Sequence, residues 1–313
     1  MTSAATPGAP VTVLFLAGIG RSGTTLLERV VGEVPGTCAL GEVMHLWERG
    51  LGRGERCGCG ELFDQCPFWA PVGVRAFGGW DRVDLDRMAV LKRRVDRASR
   101  VPLVALGRAG GLADDVAEYA AAHAAVYRAA AEVSGARVVI DSSKQVSLAW
   151  CLHASQQVDL RLVHCVRDSR GVAHSWSRDV ARPEAVSSEH DRMPRYSPAT
   201  VSALWLLHNA EIEALARRVP SVRLRYEDFV REPSASTARV LRLAEVEAGP
   251  PDIGPSGVQL GTSHSCAGNP MRFVQGPVQV RCDERWRTEQ DLGVRRLVTT
   301  LTKPLLHRYH YST

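Results

Sequence analysis

The sequence predicts an α/β fold, a central parallel sheet flanked by helices. Three observations lead there. An apolar run, Val11–Leu16, enters the glycine-rich turn Gly18-Ile19-Gly20-Arg21-Ser22-Gly23-Thr24-Thr25 and leaves it as the apolar-periodic stretch Leu26–Val31. Three later apolar runs have the length and residue types of strands buried on both faces. Amphipathic stretches separate those runs, which is the alternation that builds a parallel sheet.

The turn comes first. It reads as strand, tight turn, helix, and so aims backbone N–H groups and a helix N-terminus at one point, which suits a phosphate. Its spacing is nearly the triphosphate-binding G-x-x-x-x-G-K-[ST], which makes the sheet P-loop-like. Thr24 stands where that motif has its lysine, and the cation comes earlier, as Arg21.

The other strands follow in order. They are Arg137–Ile140, Leu160–Val166 and Ser221–Tyr226, and each ends in a polar cluster: Asp141-Ser142-Ser143-Lys144, Arg167-Asp168-Ser169-Arg170 and Glu227-Asp228. Ligands bind at the carboxyl ends of strands in open α/β sheets, so four strand ends rich in hydroxyls and cations converge on one anionic site. Asp141 reads as a turn cap rather than a magnesium-binding acid. Helices are expected over Leu112–Val133, Ser147–Ala154, Gly171–Arg178 and Ser197–Arg218. The last carries a core-facing stripe that includes Trp205.

Residues 43–110 break the βα rhythm with glycines, arginines and Trp47, Trp69 and Trp80. They read as a helical and loop insert on the substrate side, with core filling the ordinary role for the tryptophans. Residues 184–198 are polar, hold two prolines and read as a mobile loop. Residues 249–261 form an irregular Gly/Pro-rich stretch. The expected organisation is a disordered tail over 1–10 and one domain over 11–313.

Bulk properties narrow the field. Across 313 residues, 45% are hydrophobic and 23% charged, with a net charge of +5. That suits an anionic small ligand and gives no reason to expect nucleic acid. No apolar run is long enough to span a membrane, and the first ten residues lack a signal-peptide pattern, so a cytoplasmic protein is expected. Oligomeric state is left open. Of eight cysteines, Cys57, Cys59 and Cys66 cluster. Reduced structural thiols, a disulfide or a zinc site remain alternatives there, with His45 the candidate fourth ligand.

Two motifs carry a resemblance over nearly the whole chain. Arg21-Ser22-Gly23-Thr24-Thr25 resembles the 5′-phosphosulfate loop of sulfotransferases that use 3′-phosphoadenosine-5′-phosphosulfate (PAPS). Val166-Arg167-Asp168-Ser169-Arg170-Gly171-Val172-Ala173-His174-Ser175 resembles their 3′-phosphate motif, an arginine followed eight positions on by a serine (175 − 167 = 8). With Gly41-Glu42, the pattern is similar to that of protein-tyrosine sulfotransferases and actinobacterial small-molecule enzymes.

The resemblance implies sulfuryl transfer from PAPS to a hydroxyl of a small-molecule acceptor, with no metal required. A sulfuryl group in transfer carries a single charge and needs less neutralisation than a phosphoryl group. Arg21 is then expected at the bridge between sulfate and 5′-phosphate, and Ser22, Gly23, Thr24 and Thr25 around that phosphate. Glu42 is expected as the general base, with His45, His174 and His264 as rivals. Lys144 faces the sulfuryl group, and Ser143 offers a further hydrogen bond. Arg167, Ser175 and Tyr226 hold the 3′-phosphate end. Gly268, Asn269 and Arg272 belong to a loop closing over the nucleotide, with Arg272 a second cation at the 3′-phosphate. The other readings are a P-loop kinase or NTPase, disfavoured by the absent lysine, and a non-catalytic nucleotide-binding protein.

Overall fold

A computed structural model describes residues 10–108, 110–179, 194–254 and 257–312. All but the last residue of the expected tail 1–10 and most of the expected loop 184–198 lie outside the described residues. In chain order the elements are β1 (Thr12–Ala17), α1 (Thr24–Gly32), β2 (Thr37–Gly41), α2 (Trp69–Phe77), α3 (Leu85–Val95), α4 (Val101–Ala105), α5 (Ala113–Ser134), β3 (Val138–Lys144), α6 (Val146–Ser155) and β4 (Asp159–Val166). There follow α7 (Ser169–Ser177), α8 (Pro198–Ala216), β5 (Ser221–Arg225), α9 (Tyr226–Arg231), α10 (Pro233–Leu243), β6 (Ile253–Gly254), β7 (Gly257–Leu260), β8 (Gly276–Val278), α11 (Trp286–Glu289) and α12 (Leu292–Arg308).

The main sheet has the order β2-β3-β1-β4-β5 and is parallel throughout. Its strands are apolar on both faces because both faces are covered. In β1, Val13, Phe15 and Ala17 enter one core with α5 and α6, whereas Leu14 and Leu16 enter another with α1 and α10. The predicted strand over 137–140 runs on to Lys144 despite its polar end, because that end keeps pairing with β1 up to Ala17 beside Lys144. Asp141 is therefore a strand residue, although it accepts from Ser143 N at 2.7 Å as a cap would. Its other oxygen accepts from Tyr127 Oη at 2.6 Å, which turns it toward α5.

The insert folds as α2 to α4 with short turns between them; α2 and α3 pack on α5, and α4 on α6. Trp47, Phe63, Trp69, Met88 and Leu91 join the β1–α5 core, so those tryptophans fill the interior. Tyr226, expected at a strand end, opens α9 instead.

Glu28 on α1 ties the layers together, and the sequence reading passed over it. It accepts from Gly41 N (2.6 Å), Ser142 Oγ (2.7 Å) and Ser265 Oγ (3.3 Å). It thus joins α1, β2, β3 and a late loop. Its signal was present in the sequence: Thr24, Leu27, Glu28 and Val31 share one helix face at helical spacing, and that face is buried. Arg29 beside it donates to the carbonyls of Gly261 (2.7 Å), Met271 (3.2 Å) and Arg272 (3.0 Å), anchoring the same loop.

Burial raises the Glu28 carboxyl to about 7 against the opposing hydrogen bonds from Ser142 and Gly41. The folded state then holds a proton that the unfolded state releases near 4.5, so stability falls as pH rises between those values. Glu28→Gln removes the ionisation and keeps the shape. The stability difference, variant minus wild type, is expected to grow from about pH 5 to pH 8, up to about 3 kcal/mol in total. Paired thermal melts across that range check it, and a flat difference contradicts it.

Candidate active site

Each strand of the sheet delivers one side chain to a single cavity of about 320 Å³. Arg21 follows β1, Glu42 follows β2, Lys144 ends β3, Arg167 follows β4 and Tyr226 follows β5, and all five line the cavity. Thr24, Thr25, Ser175, Asn269, Trp176 and Asp283 also line it.

The glycine turn joins β1 to α1. Gly23 is the N-cap of α1 at φ +81°, a left-handed conformation that favours glycine. A Cβ there would also run into the Tyr226 ring. Arg21 is itself left-handed at φ +75°, as is Lys144 at φ +69°. Non-glycine residues take that conformation at a cost, and such residues cluster at functional sites. Among the described residues, Nε and Nη2 of Arg21, Oγ of Ser22 and Oγ1 of Thr24 are buried with no hydrogen-bond partner. Buried polar groups left so are costly, and four around one helix N-terminus match an anion with several acceptor oxygens. The Arg21 guanidinium lies over the Trp176 ring, 5.3 Å from its centroid, and Trp176 Nε1 donates to Gly20 O at 3.1 Å. Trp176 had no local signature that distinguished it from a core residue.

Glu42 and Lys144 form an ion pair at the edge of the cavity. Burial pushes the Glu42 carboxyl up, but the Lys144 ammonium outweighs it, and the group is held below its ordinary value. It is ionised at neutral pH. The late loop fixes its backbone: Glu42 N donates to Cys266 O at 2.7 Å, and Cys266 N to Leu40 O at 2.7 Å. Gly268, at φ +106°, lies so close that a Cβ would come within 2.8 Å of Glu42 Oε1.

The rival bases stand apart or are weaker. His45 Nε2 is 3.6 Å from Glu42 Oε2, and burial lowers its imidazole to about 4. It is a neutral neighbour of the carboxylate. His174 Nε2 faces Glu289 at 3.3 Å. His264 faces the cysteines, with Nδ1 3.2 Å from Cys66 Sγ. Ser143 points elsewhere too, and its Oγ accepts from Met44 N at 3.0 Å.

At the other end, Arg167 donates to Arg21 O (3.0 Å) and Asp283 O (2.9 Å). Its guanidinium lies over Tyr226, 4.6 Å from the ring centroid. Trp205 Nε1 donates to Arg167 O at 3.0 Å, so the core tryptophan also positions this arginine. Asp283, absent from the sequence reading, sits 3.6 Å from Arg167. Its hydrogen bond to Arg285 holds its carboxyl at about 2. Arg272 departs from its expected place. It is buried, donates to Arg56 O at 3.0 Å, stacks on Phe273 and does not line the cavity. Its residue type suggested a phosphate ligand, but its guanidinium holds the insert against the late loop.

Parallel sheet, glycine turn with its cation inside the loop, and cations at the strand ends define an α/β protein whose cavity is electrostatically suited to an anion. A model described as the sulfotransferase family matches residues 14–250, and the chain belongs to that family. Two solved structures share the fold. The sulfotransferase domain from the Synechococcus PCC 7002 olefin synthase is 18% identical, with a TM-score of 0.51, over 100% of this chain and 99% of that one. The sulfotransferase domain from the curacin biosynthetic pathway is 14% identical, with a TM-score of 0.52, over 97% of this chain and 98% of that one. No curated protein sequence matches the chain.

Gly23→Ala places a methyl group against Tyr226 in a left-handed backbone. Tyr226→Ala removes the clash but not the backbone cost of roughly 1–2 kcal/mol. The two changes should couple by about 1–3 kcal/mol in a double-mutant cycle of urea unfolding, with the second relieving the first. Additive losses would show that the loop does not rest on this ring.

Proposed function

We propose that the protein transfers a sulfuryl group from PAPS to a hydroxyl of a small-molecule acceptor, with Glu42 as general base. The observation that carries the reading is the set of buried, unpartnered polar atoms of Arg21, Ser22 and Thr24 at the head of α1. They fit a 5′-phosphosulfate. Membership of the sulfotransferase family supports sulfate as the group moved.

The acceptor hydroxyl gives its proton to Glu42 as its oxygen bonds to sulfur. The bond from sulfur to the bridging oxygen breaks, and that oxygen leaves on the 5′-phosphate of 3′-phosphoadenosine-5′-phosphate. Arg21 stabilises the negative charge gathering on the leaving phosphate. Lys144, within reach of both Glu42 and the cavity, offsets charge on the sulfuryl oxygens and holds Glu42 ionised. Arg167, Ser175 and Tyr226 take the 3′-phosphate end, where Asp283 opposes a second anion and sets how tightly it is held. Gly268 and Asn269 shape the wall beside Glu42. The domain is read as one unit over 11–313, acting without a catalytic metal.

Thermal melts and turnover test the proposal together. 3′-Phosphoadenosine-5′-phosphate without metal should stabilise the wild type, by about 2.7 kcal/mol at a hundredfold excess over Kd, and should do so much less for Arg167→Ala. Glu42→Gln should keep nucleotide binding and lose roughly 10²–10⁴ in kcat. A shift only with ATP and magnesium would sink the donor assignment. Full transfer activity in Glu42→Gln would sink the base.

A further inference from the structure

A second cluster of chemistry lies outside the cavity. Cys57, Cys59, Cys66 and His264 bring one ligand atom each within 4.8 Å of one another. Cys66 Sγ lies 3.5 Å from Cys57 Sγ and 3.6 Å from Cys59 Sγ. His264 Nδ1 lies 3.2 Å from Cys66 Sγ and 3.9 Å from Cys57 Sγ. Around a tetrahedral zinc, with Zn–S near 2.3 Å and Zn–N near 2.0–2.1 Å, the S···S separation is about 3.8 Å and the S···N separation about 3.6 Å. The two S···S and two S···N separations above lie within about 0.4 Å of these values, and all four ligand atoms lie within 4.8 Å of one another. All three cysteines are free thiols, and their sulfurs stand well beyond the roughly 2.05 Å of a disulfide.

We propose that Cys57, Cys59, Cys66 and His264 form a closed structural zinc site. Four protein ligands leave no open position for a substrate or reactive water, so the metal has no part in the transfer step. Three sulfurs and an imidazole select zinc over magnesium or calcium. His45, the fourth ligand expected from proximity in sequence, stays beside Glu42. His264 takes that place from 198 positions beyond Cys66.

The surroundings hold the ligands in register. A short turn sets the first two cysteines, with Cys57 N donating to Glu61 O at 2.9 Å and Gly60 N to Cys57 O at 2.8 Å. Phe68 stacks on the His264 ring, with centroids 5.3 Å apart. Trp69 Nε1 donates to His264 O at 2.7 Å, and Gly58 N donates to Ser265 O at 3.1 Å. The metal would thereby clamp the insert to the late loop. Two residues beyond His264, Cys266 pairs with the end of β2, and Gly268 rests against Glu42. Zinc so placed fixes the wall beside the carboxylate without touching it.

The full chain, expressed with zinc and purified without chelators, provides the test. Elemental analysis should find stoichiometric zinc in the wild type and in His264→Cys, and background zinc in Cys59→Ala and His264→Ala. Cobalt(II) loading of the wild type should give the visible bands of a tetrahedral thiolate site, and chelation should lower the melting temperature. The wild-type measurements stand even if a variant fails to fold. A wild type with no bound metal and three native thiols that react freely would overturn the proposal. So would a disulfide between any two of these cysteines, or zinc that persists in both alanine variants.

Discussion

The buried ion pair between Glu42 and Lys144 is the interaction on which the site depends. The two residues end adjacent strands, and neither side chain is more than 14% exposed. Removing either partner leaves a buried charge uncompensated, which is among the costliest single changes a protein suffers. Under the proposed mechanism the pair also determines the chemistry. Burial alone would push Glu42 toward its protonated form, which cannot accept a proton. Lys144 reverses that shift, and its left-handed backbone is the strain accepted to hold the ammonium where it serves both the carboxylate and the cavity.

Everything beneath the pair follows from parallel strands side by side. Neighbouring strands stand about 4.8 Å apart, so five strand ends lay out five side chains in an arc as wide as a nucleotide. The charges along it run Glu42, Lys144, Arg21, Arg167 in the sheet order β2-β3-β1-β4, an acid at one edge and three cations beyond it. A dianionic or trianionic ligand complements that row. Glu28 and Arg29 lock the arc from below, one through β2 and β3, the other through the carbonyls of the late loop.

The frame of this arrangement was legible in the sequence because it rests on local pattern. Apolar runs announced strands buried on two faces, the glycine turn announced the passage from β1 to α1, and Arg167 stood immediately after its strand. What escaped depends on contacts between residues far apart in the chain. Asp283 reaches Arg167 across 116 positions, and His264 reaches Cys66 across 198, with no spacing rule to connect them. Arg272 was misplaced because an arginine in a loop looks the same whether it faces a phosphate or a carbonyl. Ser143 was misplaced because alternation along β3 sends it to the backbone of Met44, while its neighbour Ser142 goes to Glu28. Glu28 was readable and was passed over, since a carboxylate on an otherwise apolar helix face is itself a signal.

The pH dependence of kcat/KM tests the central claim most directly, because it reports ionisations of the free enzyme. It should be measured for the wild type and for Lys144→Met with the same donor and acceptor. If Glu42 is the base and Lys144 holds it ionised, the wild-type acid limb lies below the ordinary carboxylate value. Without the ammonium, burial takes over and the limb moves to higher pH. An acid limb that stays in place when Lys144 is removed would contradict the account.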